Sequence, residues 1–152
     1  MKISVLGAGG WGTTLGILLH YNGHQVTLWE YKKNYVKELI KKRVNSLYLP
    51  GVNIPQEILI THDLKESVRQ KNLIVLAVPS QFLRSVIEDV SYSDIKNSIL
   101  VSVAKGIENK HLMTMSQMLK DVHPNLSEEQ IGVLSGPSHA EEVSKRIPTA
   151  VV

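Results

Sequence analysis

Three glycines near the start of the chain constrain its fold more than any other feature. Gly7, Gly9 and Gly12 follow the G-x-G-x-x-G order, directly after the apolar run Ile3–Leu6 and ahead of the helix-like segment Thr13–Leu19. In this order the first glycine permits a tight turn off a strand, the second leaves room for a pyrophosphate, and the third lets the helix pack closely on the strand. An ordinary strand–turn–helix connection is the alternative. Because the glycines stand between a strand signal and a helix signal, the sequence favours a dinucleotide-binding unit.

Apolar, β-branched runs alternate with helix-like segments along all 152 residues. Strands are predicted at Lys2–Leu6, Gln25–Glu30, Ile58–His62, Leu73–Val78, Ile99–Ala104 and Ile131–Ser135. Helices are predicted at Gly10–Tyr21, Lys32–Arg43, Leu64–Gln70, Gln81–Asp89, Lys110–Val122 and Ala140–Lys145. Near-continuous apolar strands are typical of parallel sheets buried on both faces, joined by right-handed crossovers. The predicted fold is therefore an α/β, doubly wound, mainly parallel sheet of the Rossmann type, formed by one domain over residues 1–152.

Two stretches fall outside this alternation. The longest irregular connection is predicted at Asn45–Pro55, which contains two prolines and Gly51; loops of this kind often carry function. Pro148–Val152 resembles the opening of a further strand. We therefore expect the chain to be part of a longer enzyme.

Composition excludes several classes of function. The chain has no cysteine, which excludes disulfides, thiolate metal sites and a cysteine nucleophile. Its net charge of +3 is mild and gathers on the predicted helix Lys32–Arg43, without a motif that reads nucleic acid. No apolar run approaches the roughly 18 residues of a membrane span, and no signal-peptide cleavage pattern is present. We expect a cytoplasmic protein with neither a nucleic-acid nor a membrane partner.

Glu30 is the candidate for cofactor selection. It ends the second predicted strand, 18 residues after Gly12. A carboxylate at this place accepts hydrogen bonds from the adenosine ribose hydroxyls and repels a 2′-phosphate, so it favours NAD over NADP. Lys32 and Lys33 follow directly and would offset part of that preference.

Two aromatic residues have alternative interpretations. Tyr31 is expected either to lie against the adenine or to cover the sheet. Phe82 follows Val78-Pro79 at the carboxyl end of the fourth strand, the edge at which open α/β sheets bind ligands. From the residues alone, packing in the core is the favoured role of Phe82, and a cofactor contact is the alternative.

Polar residues after the last two predicted strands are candidates for the substrate side. Lys105 closes the fifth strand before a glycine turn, where its ammonium group can bind an anionic substrate or stabilise a developing oxyanion; a solvated loop lysine is the alternative. Ser138 is predicted to cap the helix that begins at Ala140. His139 fits that helix start better than acid–base catalysis. No second histidine lies at metal-ligand spacing, so no metal site is predicted.

Seven short motifs carry a resemblance to a known family that runs from Met1 to Val152. They are Gly7–Thr13, Asn22–His24, Leu28–Trp29, Tyr48–Gly51, Val78–Ser80, Ala104–Glu108 and Ser135–Ser138. In this order and spacing they resemble the amino-terminal domain of the soluble NAD(P)-dependent glycerol-3-phosphate dehydrogenases. The resemblance implies reversible hydride transfer between NAD(P)H and dihydroxyacetone phosphate, which yields sn-glycerol 3-phosphate for glycerophospholipid synthesis.

The resemblance also implies roles for single residues. The positions that match cofactor contacts are Gly7, Gly9, Gly10, Trp11, Gly12, Tyr31, Phe82, Lys105 and Ala140. Lys105 matches a residue that meets both substrate and cofactor, and Gly136 and Ser138 match substrate-side positions. Bacterial members often carry serine or asparagine in place of Gly10, and NADP-using relatives often carry histidine or arginine in place of Tyr31. The resemblance thus favours NAD(H), with NADP(H) as the alternative.

In the family, the general acid–base lysine and the groups that bind the substrate phosphate lie in a helical carboxy-terminal domain. We therefore expect residues 1–152 to be the cofactor-binding half, with no catalytic residue of their own and little or no activity alone. A homodimer is an expectation for the whole enzyme. The alternatives are another two-domain reductase, of the hydroxyacid or ketopantoate type, and a non-catalytic nucleotide-sensing module. Ala104–Glu108 and Ser135–Ser138 argue against the first, and Lys105 argues against the second.

Overall fold

A computed structural model describes every residue from Met1 to Val152. In chain order the elements are β1 (Lys2–Leu6), α1 (Gly10–Tyr21), β2 (Gln25–Trp29), α2 (Lys33–Lys42), β3 (Val44–Asn45), β4 (Leu49–Asn53), β5 (Leu59–Thr61), α3 (Leu64–Val68), β6 (Leu73–Leu76), α4 (Ser80–Glu88), α5 (Tyr92–Ile95), β7 (Ile99–Ser102), α6 (Met115–Val122), a 3₁₀ turn (Glu128–Gln130), β8 (Ile131–Val133) and α7 (Ala140–Ser144). Six strands form one sheet in the order β5-β2-β1-β6-β7-β8, and every neighbouring pair is parallel. The predicted doubly wound α/β fold is confirmed.

The strand order reverses between β1 and β6. From β1 the chain builds outward through β2 and β5 on one side, and from β6 through β7 and β8 on the other. Leu6, Leu76, Ser102 and Val133 lie side by side at the carboxyl ends of β1, β6, β7 and β8. The loops that follow these four strands therefore open at the same edge, and the reversal leaves the crevice in which sheets of this kind bind ligands.

Apolar side chains cover both faces of the sheet. Side chains along β1 alternate between the two faces of the sheet. Ile3 and Val5 lie in one buried cluster, together with Leu15 of α1. Leu6 lies in a second buried cluster, together with Leu83 of α4. Each cluster contains 15 buried residues. This is why the strands read as nearly continuous apolar runs. None of the helices combines the length and the apolar character that crossing a membrane requires.

The segment Asn45–Pro55 is not an irregular loop, so that prediction is wrong. β3 and β4 pair as an antiparallel ribbon, with Val44 opposite Asn53. Pro50 is tolerated because a two-stranded ribbon leaves one edge of each strand without a ladder partner. Gly51 adopts φ +78°, a conformation that glycine accepts without a steric penalty.

Two helix predictions are wrong, and one short helix has no predicted counterpart. α6 begins at Met115 rather than at Lys110, because Thr114 and Gln117 form a capping box that fixes its first turn. His139 occupies the N-cap position of α7 and no side chain caps the helix, so the predicted Ser138 cap is wrong. The short helix α5 was not predicted. After α7, Val152 exchanges two backbone hydrogen bonds with Ser135, of 2.8 and 2.7 Å, but forms no strand.

Candidate functional site

The glycine loop between β1 and α1 has two closed positions and one open position. Gly7 has φ +110°, and a Cβ there would lie 2.8 Å from the carbonyl carbon of Ala77. A Cβ on Gly12 would collide with the carbonyl oxygen of Gly7 and lie 3.0 Å from the Cβ of Ala77. Gly9, in contrast, has no heavy atom within 4 Å of an ideal Cβ. Gly7 and Gly12 are thus required by packing, whereas the space at Gly9 is open to a ligand.

The amino end of α1 presents free hydrogen-bond donors beside that open space. The first helical hydrogen bond runs from the N–H of Thr13 to the carbonyl oxygen of Gly9, at 2.9 Å. The preceding N–H groups, of Gly10, Trp11 and Gly12, donate to no protein acceptor, and no side chain caps the helix. Together with the helix dipole, these free donors are suited to bind an anion.

Asn45 ties the β3–β4 ribbon to the glycine loop and is fully buried. Its Nδ2 donates to the carbonyl oxygen of Ala8 and to Oγ1 of Thr13, both at 2.8 Å. Its Oδ1 accepts from the hydroxyl of Tyr35 at 2.6 Å and from the N–H of Tyr48 at 3.0 Å. Both N–H bonds and both lone pairs of the amide are thereby used, so its orientation is fixed. Our sequence interpretation missed Asn45, because its partners lie in other elements.

The ribbon and α7 lie over the start of α1. A Cβ on Gly10 would come within 2.6 Å of the carbonyl oxygen of Tyr48 and 3.5 Å of the Cβ of Ala140. Thr14 Oγ1 donates to the carbonyl oxygen of Ala140 at 3.2 Å. Trp11 is partly buried against the core cluster that also holds Ile3 and Val5. A side chain larger than hydrogen at Gly10 would therefore require the ribbon to move.

Glu30 and Tyr31 lie at the carboxyl end of β2. The backbone N–H of Glu30 donates to the carbonyl oxygen of Thr61 at 3.0 Å, which holds the residue beside β5. Its Oε1 accepts from the backbone N–H of Lys32 at 3.0 Å. Tyr31 leaves 69% of its surface exposed. The carboxylate is thus oriented by its own turn, and the aromatic ring beside it is accessible.

Phe82 lies in the first turn of α4 and is 65% exposed, so the favoured core-packing role is wrong. The reason is helical geometry. α4 buries Leu83 and Ile87, which lie four residues apart on one face, and this directs Phe82 away from the core. The alternative role, contact with a cofactor at the carboxyl edge, fits the observed exposure.

Lys105 and Gly136 line one groove of about 420 Å³ between the loops that follow β7 and β8. The other groups that line it include Gly106, Thr114, Ser116 and Ser135. Lys105 is exposed, so its ammonium group is available to a ligand. Ser138 is partly buried and does not line this groove. The structure thus brings two of the three predicted substrate-side residues together.

A buried ion pair lies behind the loop that carries Lys105. The guanidinium group of Arg84 makes two hydrogen bonds to the carboxylate of Glu108, at 2.6 and 3.0 Å. The Arg84 hydrogen bonds hold the pKa of Glu108 below its ordinary value, and a contact from His111 acts in the same direction. The sequence interpretation included Glu108 only as the last residue of a motif, and it did not include Arg84. The spacing of charges along the chain gives no signal for a pair separated by 24 residues.

Known proteins resemble this chain along almost all of its 152 residues. The family model described as "NAD-dependent glycerol-3-phosphate dehydrogenase N-terminus" matches residues 2–152. A glycerol-3-phosphate dehydrogenase (NAD(P)+) from Thermoanaerobacter sp. is 51% identical over 152 residues, and one from Fusobacterium nucleatum is 47% identical over 154 residues. The crystal structure of glycerol-3-phosphate dehydrogenase from Coxiella burnetii superimposes with a TM-score of 0.87 at 32% identity, over 99% of this chain.

The chain spans less than half the length of these relatives. It covers 44% of the Thermoanaerobacter protein and 45% of each of the other two. The similarity therefore concerns the amino-terminal part of the relatives.

Proposed function

Because the chain belongs to the NAD-dependent glycerol-3-phosphate dehydrogenase family, we propose that it is the dinucleotide-binding domain of an oxidoreductase that interconverts dihydroxyacetone phosphate and sn-glycerol 3-phosphate with NAD(P)H. One observation carries the proposal. The open face of Gly9 and the free N–H groups of α1 lie at the edge of the sheet where the Lys105 groove also opens. A module that only sensed the nucleotide would not need that second groove.

The glycine loop binds the pyrophosphate in this proposal. The N–H groups of Gly10, Trp11 and Gly12 donate to it, while Gly7 and Gly9 keep the backbone close to it. Glu30 accepts hydrogen bonds from the adenosine ribose hydroxyls. The exposed rings of Tyr31 and Phe82 contact the planar parts of the cofactor, and Ala140 closes the loop from the side of α7. The bound dinucleotide supplies the hydride.

Lys105 binds the substrate oxygen in this proposal. Its ammonium group donates a hydrogen bond to the carbonyl oxygen of dihydroxyacetone phosphate and stabilises the negative charge that develops there. Gly136 contributes only its backbone to the opposite wall, because a Cβ there would lie 2.7 Å from the carbonyl oxygen of Ala150. Ser138 adds a hydroxyl donor beyond that wall. The general acid–base lysine and the phosphate-binding groups belong, as we propose, to a helical domain that lies outside residues 1–152.

The cellular setting follows from the proposed chemistry. The product is a precursor of glycerophospholipids, the substrates are small phosphorylated molecules, and the reaction takes place in the cytoplasm. We propose a homodimer for the whole enzyme. NAD(H) is the favoured cofactor because of Glu30, and NADP(H) is the alternative.

The decisive test is reduction of dihydroxyacetone phosphate by the whole protein, followed through oxidation of NADH and of NADPH. Lys105→Ala is expected to lower kcat/KM for dihydroxyacetone phosphate by about 10²-fold or more, the range for a lost electrostatic contact to a developing oxyanion. The Kd for NADH should change far less. Failure of the unchanged protein to oxidise either cofactor would overturn the proposed activity. A larger loss of NADH binding than of turnover in the variant would make Lys105 a structural residue.

A further inference from the structure

We infer that Gln81, Arg84 and Glu108 are positioning residues, which set the place of Lys105 relative to the cofactor side of the crevice. The inference rests on the role proposed above for Lys105. Residues 103–113, called here the lysine loop, connect β7 to the capping residue of α6. Gln81 and Arg84 lie on α4, the helix that follows the crevice strand β6.

Glu108 is the buried anchor of the lysine loop. Its side chain is 6% exposed and that of Arg84 is 13% exposed. Arg84 Nε lies 2.6 Å from one carboxylate oxygen, and Nη2 lies 3.0 Å from the other, which is the two-pronged geometry that fixes orientation as well as distance. The remaining guanidinium nitrogen donates to Asp121 of α6 at 2.7 Å, so the anchor joins the loop to two helices.

Gln81 holds the backbone on either side of this anchor. Its Nε2 donates to the carbonyl oxygen of Ile107 at 2.7 Å, and its Oε1 accepts from the N–H of Asn109 at 3.0 Å. The N–H of Glu108 donates to the carbonyl oxygen of Met113 at 2.8 Å, which closes the loop on itself. The peptide units that follow Lys105 by two to four residues are therefore fixed to α4.

α4 also begins close to the glycine loop. It begins at Ser80, three residues after Ala77, whose carbonyl group would block a side chain on Gly7. A Cβ on Gly106 would lie 3.7 Å from the hydroxyl oxygen of Ser80, so the lysine loop passes over the start of α4. Phe82, a proposed cofactor contact, lies in the same helical turn. One helix thus touches the cofactor side and fixes the loop that carries the substrate-side cation.

Stability alone does not explain why the Arg84–Glu108 ion pair is buried. A buried ion pair is often no more stabilising than well-packed apolar residues of similar volume. What the pair supplies is a defined geometry. Transfer of a hydride depends on placement of the substrate within fractions of an ångström, and a shift of about 1 Å can lower a rate by about 10²-fold.

The test is a double-mutant cycle on the whole protein, with kcat/KM for dihydroxyacetone phosphate as the readout. Glu108→Gln keeps the shape of the side chain but removes the charge that pairs with Arg84. It is expected to lower kcat/KM by about tenfold or more, while the Kd for NADH stays within about twofold. In a Lys105→Ala background the same substitution is expected to have almost no further effect. A merely structural role would lower kcat/KM by the same factor in both backgrounds, and that result would overturn the inference.

A second variant covers the case in which Glu108→Gln does not fold. Gln81 is exposed, so Gln81→Ala leaves the core intact while it removes both backbone contacts. It is expected to lower kcat/KM by several-fold, again only when Lys105 is present; equal losses with and without Lys105 would overturn the inference.

The matched control is Glu38→Gln, which breaks an exposed ion pair with Lys42 on α2 and should change neither kcat/KM nor the Kd for NADH. If Lys105→Ala itself has no effect, the proposed function of Lys105 fails. If Lys105→Ala has a large effect and the cycles are additive, only the positioning role fails.

Discussion

At the residue scale, the glycines of the loop separate folding from binding. Gly9 has an ordinary extended backbone and open space around it, so Gly9→Ala should change the free energy of unfolding by less than about 1 kcal/mol, the scale of an N-cap substitution. Its methyl group would occupy the ligand side, and NADH affinity should fall at least about tenfold, which is about 1.4 kcal/mol. Gly12→Ala should destabilise the fold by about 3 kcal/mol, because the methyl group meets backbone. Denaturant unfolding and fluorescence titration measure the two effects. Equal destabilisation by both variants would contradict this assignment.

Glu30 gives a prediction about cofactor choice. Glu30→Ala removes the carboxylate that we propose accepts from ribose hydroxyls and repels a 2′-phosphate. The ratio of the NADPH Kd to the NADH Kd should therefore fall by about tenfold, the scale of a hydrogen bond to a charged group. Lys33→Ala is the matched control, since loss of a cation should raise that ratio or leave it unchanged. Fluorescence titration with both cofactors measures it. Equal or tighter binding of NADPH by the unchanged chain would refute the role of Glu30.

At the scale of elements, the β3–β4 ribbon depends on a single amide. Asn45→Ala leaves the buried carbonyl group of Ala8 and the hydroxyl of Tyr35 without their partner, so unfolding should become easier by about 3 kcal/mol. For a chain of this size, that corresponds to a Tm lower by about 6–12 °C. Asn53→Ala is the matched control, because Asn53 is exposed on the same ribbon. Calorimetry of both variants tests this, and a similar Tm for the two would show that the amide network contributes nothing.

The attachment of the lysine loop to α4 predicts a pH dependence of stability. The pKa of Glu108 in the folded chain lies below its ordinary value of 4.5, chiefly because Arg84 donates to it. A depressed carboxyl pKa contributes stability that is fully present above the unfolded-state pKa and is lost as the pH falls through the folded-state pKa. The Tm difference between the unchanged chain and Glu108→Gln should therefore be constant near neutral pH and shrink below about pH 4.5. Glu38→Gln, on an exposed pair, should show no such trend. A difference that grew toward acid pH would contradict the assignment.

Elements with a local cause could be predicted from the sequence, and those with a distant cause could not. α1 matched its predicted bounds because glycines and an Asn-Gly stop mark both ends. The start of α6 also has a local signal, since Thr114 and Gln117 have capping-box spacing, and a helix start at Lys110 disregards that signal. The ribbon was missed because proline and glycine usually mark loops, while the amide of Asn45 that secures it bonds to groups up to 37 residues away.

At the scale of the whole molecule, the sheet order assembles the site. The glycine loop, Phe82, Lys105 and Gly136 belong to segments up to 129 residues apart, from Gly7 to Gly136, and parallel register brings them to one edge. Sequence motifs predicted each segment. The contacts of Gln81 and Arg84 on α4 with the lysine loop became visible only in the folded structure. A groove of about 710 Å³ lies at the opposite edge and is lined by Lys2, Gln25 and Lys71, among others.

The two edges of the sheet give the last prediction. If the cofactor binds only at the carboxyl edge, NADH should slow hydrogen exchange at Gly10–Gly12 and near Phe82, and leave Gln25 and Leu59 unchanged. At a free NADH concentration of about 100 times its Kd, NADH should also stabilise the fold by about 2.7 kcal/mol, which raises Tm by about 5–10 °C. At the same NADH concentration Gly9→Ala should weaken both effects, with the stabilisation cut to about 1.4 kcal/mol or less for an affinity at least about tenfold lower, whereas Lys71→Ala, at the amino edge, should keep them. Protection centred on the amino edge would place the nucleotide in the larger groove instead, and the role of the glycine loop would have to be abandoned.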